Sequence, residues 1–240
     1  MKLKVRGTIL WMTGWSMPAS VFDRLRGFLP DFDHVFVDYS AVSSSEDIMQ
    51  LTEKAAKSVL STISGPFLIG GWSLGGLLAI RLAAQGLADG LILFSATAKF
   101  TRPKGQANLG WADAYLRQMI AGLAKDRQAI EIKFRQMMFT ESEIDRVNPS
   151  LMGSWTTASL IAGLEVLRSV DLLSQLPEID ARVLLIHGIE DKICPYAAAE
   201  ELQTHLPRAK LLSVSESGHA PFLGREANVA ESLRSWWYEQ

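Results

Sequence analysis

A serine stands among glycines in the stretch FLIGGWSLGGLLAI, which runs from Phe67 to Ile80. Gly71-Trp72-Ser73-Leu74-Gly75 fits the pattern G-x-S-x-G. An apolar strand-like run precedes it and an apolar helix-like run follows. That is the setting of a nucleophile elbow, a strained turn that holds one hydroxyl clear of the backbone. Glycines on both sides let two backbones pass closely. The alternative is a plain tight turn, and the strand-to-helix context favours the nucleophile. A serine hydroxyl reacts only when a base takes its proton. The chain has four histidines, His34, His187, His205 and His219. His34 and His187 fall in or beside strand-like runs and His205 in a helix-like one, where packing accounts for them. His219 lies in SESGHAPFL, just past the last strand-like run, where a loop places a base. Ser73 with His219 predicts nucleophilic acyl transfer.

The third group must accept the other imidazole N–H and stabilise the imidazolium. HGIEDKICP offers Glu190 and Asp191. Asp191 is preferred because Asp-Lys-Ile-Cys-Pro is similar to the D-x-x-x-P acid loop of many hydrolases; Glu190 is the alternative. Ser73, Asp191 and His219 then stand in the α/β-hydrolase order. An oxyanion hole needs two N–H donors. Leu74, at the start of the helix, supplies one. LWMTGWSMPASVF supplies the other at Trp15, with Gly14 permitting the turn; the Trp15 ring either walls an acyl pocket or packs in the core. His and Cys are too few and scattered for a metal site, and GGWSLGG lacks the Lys-Ser/Thr ending of a phosphate loop. Neither metal nor cofactor is expected.

These residues must be held by a frame. Thr8–Gly14, His34–Tyr39, Pro66–Gly71, Gly90–Thr97, Arg182–Gly188 and Ala209–Val214 read as short strands, rich in Val, Ile, Leu and Phe. Their continuous apolar runs predict a sheet covered on both faces. Ser45–Ser61, Leu74–Gln85, Ala197–Leu206 and Asn228–Tyr238 read as helices, and the alternation predicts an α/β fold with a mostly parallel sheet. Residues 99–177 break the rhythm with helical composition and no clear strand. They are expected to form a helical cap inserted into a core of residues 1–98 and 178–240. Lys99 to Thr140 carries eight Lys/Arg against three Asp/Glu, while the rest of the chain carries sixteen against twenty-three. This is either a solvated basic face or a docking patch for an acidic partner.

The whole chain has 240 residues, a net charge of -2 and 48% hydrophobic residues. Those values give no global case for nucleic-acid or membrane binding. Its one cysteine, Cys194, has no partner for an internal disulfide and suits a reducing compartment. The apolar stretch near the N-terminus, about five residues, is shorter than the roughly 7–15 of a signal-peptide core. A cytoplasmic monomer is the expectation.

The chain resembles the α/β-hydrolases over its full length and, within them, the pimeloyl-[acyl-carrier protein] methyl ester esterases of biotin synthesis. GWSLGGLLA, GLEVLRSVDLLSQL (Gly163–Leu176) and SGHAPFL carry that closeness. The resemblance implies hydrolysis of a methyl ester on pimeloyl-acyl-carrier protein, with release of methanol. It also implies that the acidic carrier docks on basic cap residues, here Arg117, Arg127, Lys133 and Arg135, and that Phe134 lies near the acyl chain. Two departures border the site. Thr13-Gly14 stands where the family usually has His-Gly, and VDYSAVSSS replaces a glycine-rich stretch. The competing readings are another serine acyl or C–C bond hydrolase, such as a small-ester esterase or thioesterase, and a non-catalytic binding protein on the same scaffold.

Overall fold

The computed structural model describes residues 6–144 and 153–238. Among the described residues six strands form one sheet: β1 (Thr8–Met12), β2 (Asp33–Phe36), β3 (Phe67–Trp72), β4 (Gly90–Phe94), β5 (Arg182–Gly188) and β6 (Ala209–Val214). All pairings are parallel, in the order β2-β1-β3-β4-β5-β6. Each strand falls within or beside the run predicted for it, and β5 and β6 match to the residue. β1, β2 and β4 are shorter at their C-terminal ends, while β3 runs one residue further, to Trp72. β1 stops before Gly14, where the chain turns. β4 stops at Phe94 because Ser95 takes φ 43°, a conformation that cannot continue a strand. Every residue of β1, β3 and β4 is buried, which explains their continuous apolar runs.

The helices are α1 (Asp23–Gly27), α2 (Ser45–Leu60), α3 (Leu74–Ala84), α4 (Asp113–Leu123), α5 (Arg127–Met138), α6 (Glu141–Ile144), α7 (Thr157–Ser169), α8 (Tyr196–His205) and α9 (Glu226–Tyr238). The short α1 was not foreseen. Its five residues give too little periodicity to read. α2 starts where the serines and acids placed it: Ser44 Oγ accepts the Asp47 N–H at 3.1 Å, satisfying an N–H that the helix leaves free. The strand order and right-handed crossovers put α2, α3 and α8 on one face of the sheet. α1 and α9 pack together on the other.

Between β4 and β5 the described residues form α4–α7 and two isolated bridges, Lys99 with Asp171 and Thr101 with Trp111. The outgoing and returning chains run side by side there. Leu172 N–H donates to Ala98 C=O at 3.0 Å, and Lys99 Nζ meets Asp171 Oδ2 at 2.7 Å. Arg102, almost fully buried, grips Glu201 of α8 through both guanidinium NH groups. Among the described residues no helix is long and apolar enough to cross a membrane.

Candidate active site

Three of the four non-glycine residues with positive φ among the described residues mark one edge of the sheet. Ser16, Ser73 and Ser95 have φ of 63°, 55° and 43°. They lie beyond the C-terminal ends of β1, β3 and β4, which are neighbours in the sheet. Strain of this kind costs about 1–3 kcal/mol per residue and collects at functional sites.

Ser73 occupies the single residue between β3 and α3, with ψ -114°. Its N–H donates to Phe94 C=O and its C=O accepts from Leu77 N–H, both at 3.0 Å. The elbow is tight because its glycines meet backbone. A Cβ on Gly71 would lie 2.4 Å from Gly75 O, and one on Gly75 would lie 2.1 Å from Met12 O. Nothing flexible is available to move aside. Gly75→Ala should therefore destabilise the fold by about 3 kcal/mol, lowering Tm by about 10 °C in a chain of this size. A thermal melt checks this, and an unshifted Tm would contradict the packing.

His219 and Asp191 meet as the sequence placed them. His219 Nδ1–H donates to Asp191 Oδ2 at 2.8 Å. Asp191 Oδ1 accepts the Ile193 and Cys194 N–H groups at 2.8 and 2.9 Å. Burial alone would push the Asp191 carboxyl up. The charge of His219 and the hydrogen bonds from His187 and His219 outweigh it and hold the group well below the usual carboxylate range. Asp191 is thus an anion at neutral pH. Glu190, the alternative acid, has an exposed side chain. With Nδ1 protonated, Nε2 of His219 is an acceptor; it is buried and has no hydrogen-bond partner among the described residues. Trp72 brings the histidine to the elbow, because its indole N–H donates to His219 C=O at 2.7 Å. Cys194 is buried, and burial followed by the Asp191 charge pushes its thiol well up, which leaves it inert.

The loop after β1 reaches the same point. A Cβ on Gly14 would touch the Trp72 ring at 3.3 Å and Ser73 Cβ at 3.5 Å. Neither Trp15 N–H nor Leu74 N–H is taken by a partner among the described residues. Leu74 N–H also sits at the positive end of α3. The Trp15 ring is buried, donates its indole N–H to Leu160 C=O of α7 at 2.8 Å, and meets Phe134 edge-on at 4.9 Å. Phe134 is itself buried on α5.

The four basic residues behave differently. Lys133 is exposed on α5, and Arg117, exposed on α4, pairs with Asp113 at 3.1 Å. Arg135 is half-buried. Arg127 is committed inward, with Nε donating to the buried Glu131 at 2.7 Å. Tyr115 and Ile132 add exposed apolar surface to the same two helices.

The family model described as "Serine aminopeptidase, S33" matches residues 20–224. A pimeloyl-[acyl-carrier protein] methyl ester esterase from Nitrosomonas europaea is 32% identical over 229 residues, covering 90% of this chain and 89% of that protein. The chain belongs to this esterase family. A second member, from Neisseria meningitidis serogroup C, is 31% identical over 77% of this chain and 74% of its own length. An esterase from Exiguobacterium antarcticum has the same fold, with a TM-score of 0.83, 22% identity, and coverage of 97% of this chain and 92% of that one.

Against the family pattern, the two departures touch each other. The Tyr39 hydroxyl donates to Thr13 C=O, and Thr13 Oγ1 lies 3.4 Å from Tyr39 Oη. Tyr39 is 1% exposed and lies edge-on to Trp155 at 5.2 Å. A tyrosine from the loop after β2 thus braces the backbone where esterases of this family usually carry histidine. Sequence reasoning missed Tyr39, and also His187. The His187 Nε2–H donates to Cys194 C=O at 2.7 Å and lies 3.4 Å from Asp191 Oδ2. It missed the buried acids Glu131 and Glu143 as well. Glu131 left a trace, since it shares a helical face with Phe134 and Met138; Glu143 left none.

Proposed function

We propose that the chain is a serine carboxylesterase that removes the methyl group from pimeloyl methyl ester carried on acyl-carrier protein. One observation supports the hydrolytic reading above the rest. The bond from His219 Nδ1–H to Asp191 leaves Nε2 as a buried acceptor without a partner among the described residues, on a loop that the Trp72 indole ties to the residue before Ser73. The substrate reading rests on similarity to the curated esterases.

In the first half-reaction, Ser73 Oγ attacks the ester carbonyl as its proton passes to His219 Nε2. The N–H groups of Trp15 and Leu74 receive the oxyanion. Asp191 stays ionised and stabilises the imidazolium. The tetrahedral intermediate collapses, the C–O bond to the methyl group's oxygen breaks, and His219 returns its proton to the leaving methoxide as methanol. Water then attacks the acyl-serine with His219 as base, which releases the carboxylate and restores Ser73.

The test is direct. Purified protein given pimeloyl methyl ester on carrier protein should release methanol and leave a free carboxylate. Failure to demethylate it, beside brisk turnover of free short esters, would overturn the substrate and leave a general esterase.

We also propose that the acidic carrier docks on the basic face of α4 and α5. Lys133 and Arg117 are the clean probes, because Arg127 also holds Glu131 inside. Charge reversal at both should lower kcat/KM for the carrier-linked ester about tenfold through a slower encounter, with a small ester barely changed. Equal slowing of the two substrates would make the patch structural.

A further inference from the structure

The cap sends two carboxylates into the interior, and each holds a different half of the reaction site. Glu131 of α5 and Glu143 of α6 are 5% and 4% exposed. Glu131 Oε1 accepts the Ser16 hydroxyl, while Oε2 accepts Arg127 Nε. Ser16 directly follows Trp15 and takes left-handed backbone angles. The same loop is held at three more points. Gly153 N–H donates to Ser16 C=O at 2.9 Å, the Trp155 indole donates to Met17 C=O at 3.0 Å, and Trp15 itself donates to Leu160 C=O.

Glu143 does the same for the histidine loop. Its Oε1 accepts Ser217 Oγ–H at 2.8 Å and an Arg225 N–H at 3.0 Å. Its Oε2 accepts Gly218 N–H at 2.9 Å and Thr140 N–H at 3.0 Å. One residue on, His219 N–H donates to Met138 C=O, the last residue of α5, at 2.7 Å. Residues 217–219 therefore hang from the end of α5 and the start of α6.

Buried ion pairs are poor stabilisers, because desolvation offsets their attraction, and well-packed apolar groups do as well or better. What a fully hydrogen-bonded carboxylate adds is direction. We infer that Glu131 and Glu143 are positioning residues. Through Ser16 the first sets the Trp15 N–H, and through Ser217 and Gly218 the second sets the His219 imidazole. The segment that covers the site thereby also builds it. The inference rests on the reading of Ser73, His219 and Trp15 given above.

The test uses a small p-nitrophenyl ester, which needs no carrier docking, and compares kcat, KM and Tm. A misplacement of about 1 Å costs about a hundredfold in rate, so Glu131→Ala and Glu143→Ala should each lose about that much kcat with KM within about threefold. Glu131→Gln and Glu143→Gln keep an acceptor oxygen and should recover to within about tenfold of the wild type. Glu201→Ala is the control. It breaks the buried pair with Arg102, which ties the cap to α8 without touching the site, and should lower Tm while leaving kcat in place. The inference is overturned if folded alanine variants keep wild-type kcat, if they lose only KM, or if Glu201→Ala loses as much kcat as they do. Should the alanine variants fail to fold, Ser16→Ala and Ser217→Ala decide, since each removes one link and leaves the carboxylate paired with arginine. Each should lose about five- to tenfold in kcat, and wild-type kcat in both overturns the inference. Ser73→Ala runs alongside. Activity surviving in that variant would sink the nucleophile instead, a separate failure.

Discussion

Ser73→Ala should lower kcat about 10⁶-fold, on the scale seen when the serine of such a triad is removed. The fold should be untouched. The Ser73 hydroxyl makes no hydrogen bond among the described residues, so alanine leaves no partner stranded, and its backbone bonds to Phe94 and Leu77 remain. Ser73→Gly adds a second readout. It is equally unable to attack, yet glycine adopts φ 55° freely. Relief of about 1–3 kcal/mol of strain exceeds the roughly 0.5–1 kcal/mol that glycine's flexibility costs. Ser73→Gly should therefore melt no lower than Ser73→Ala. Activity retained in either variant would remove Ser73 from the reaction.

Asp191→Asn should cost about 10⁴ in kcat with little change in KM, as expected when the imidazole is held in the wrong tautomer. The local geometry dictates that outcome. The Ile193 and Cys194 N–H groups both point at Oδ1, so an asparagine turns its carbonyl oxygen to them. Its NH₂ then faces His219 Nδ1, which must accept. The ring proton moves to Nε2, where it blocks transfer from Ser73. Stability should also change with pH. The Asp191 carboxyl is depressed in the folded protein, so it contributes stability that is fully present above its unfolded value, about 4. That contribution is lost as pH falls through the folded value. The wild type's advantage over Asp191→Asn should thus shrink on acidification below about pH 4. Parallel Tm profiles, or kcat within tenfold of wild type, would count against this assignment.

The sheet, the elbow and the His219–Asp191 pair were readable because each rests on a local signal. Buried strands are unbroken apolar runs, and the elbow requires glycines at fixed offsets because backbone presses on backbone there. Asp191 was readable from the loop around it. The cap's contribution was not. Glu143 meets Ser217, Gly218 and Arg225 across 74 to 82 positions of chain, and nothing in its own neighbours announces that meeting. Tyr39 is a parallel case, since the change at Thr13 makes sense only beside a hydroxyl 26 residues away. The basic composition of Lys99–Thr140 was likewise visible, but composition does not tell an outward Lys133 from an inward Arg127.

Trp72 has a consequence for how the protein comes into being. Its ring touches the Gly14 position, its main chain leads into Ser73, and its indole N–H ends on His219. Those three contributors come from the first, third and last strand-to-helix connections of the sheet. Parallel pairing of this kind is slow to form, because long loops must close before any contact rewards them. On the proposed reading, a chain in which these connections have not met holds the serine without its base or its oxyanion donors. Turnover then requires all three connections to have met, so it reports that meeting.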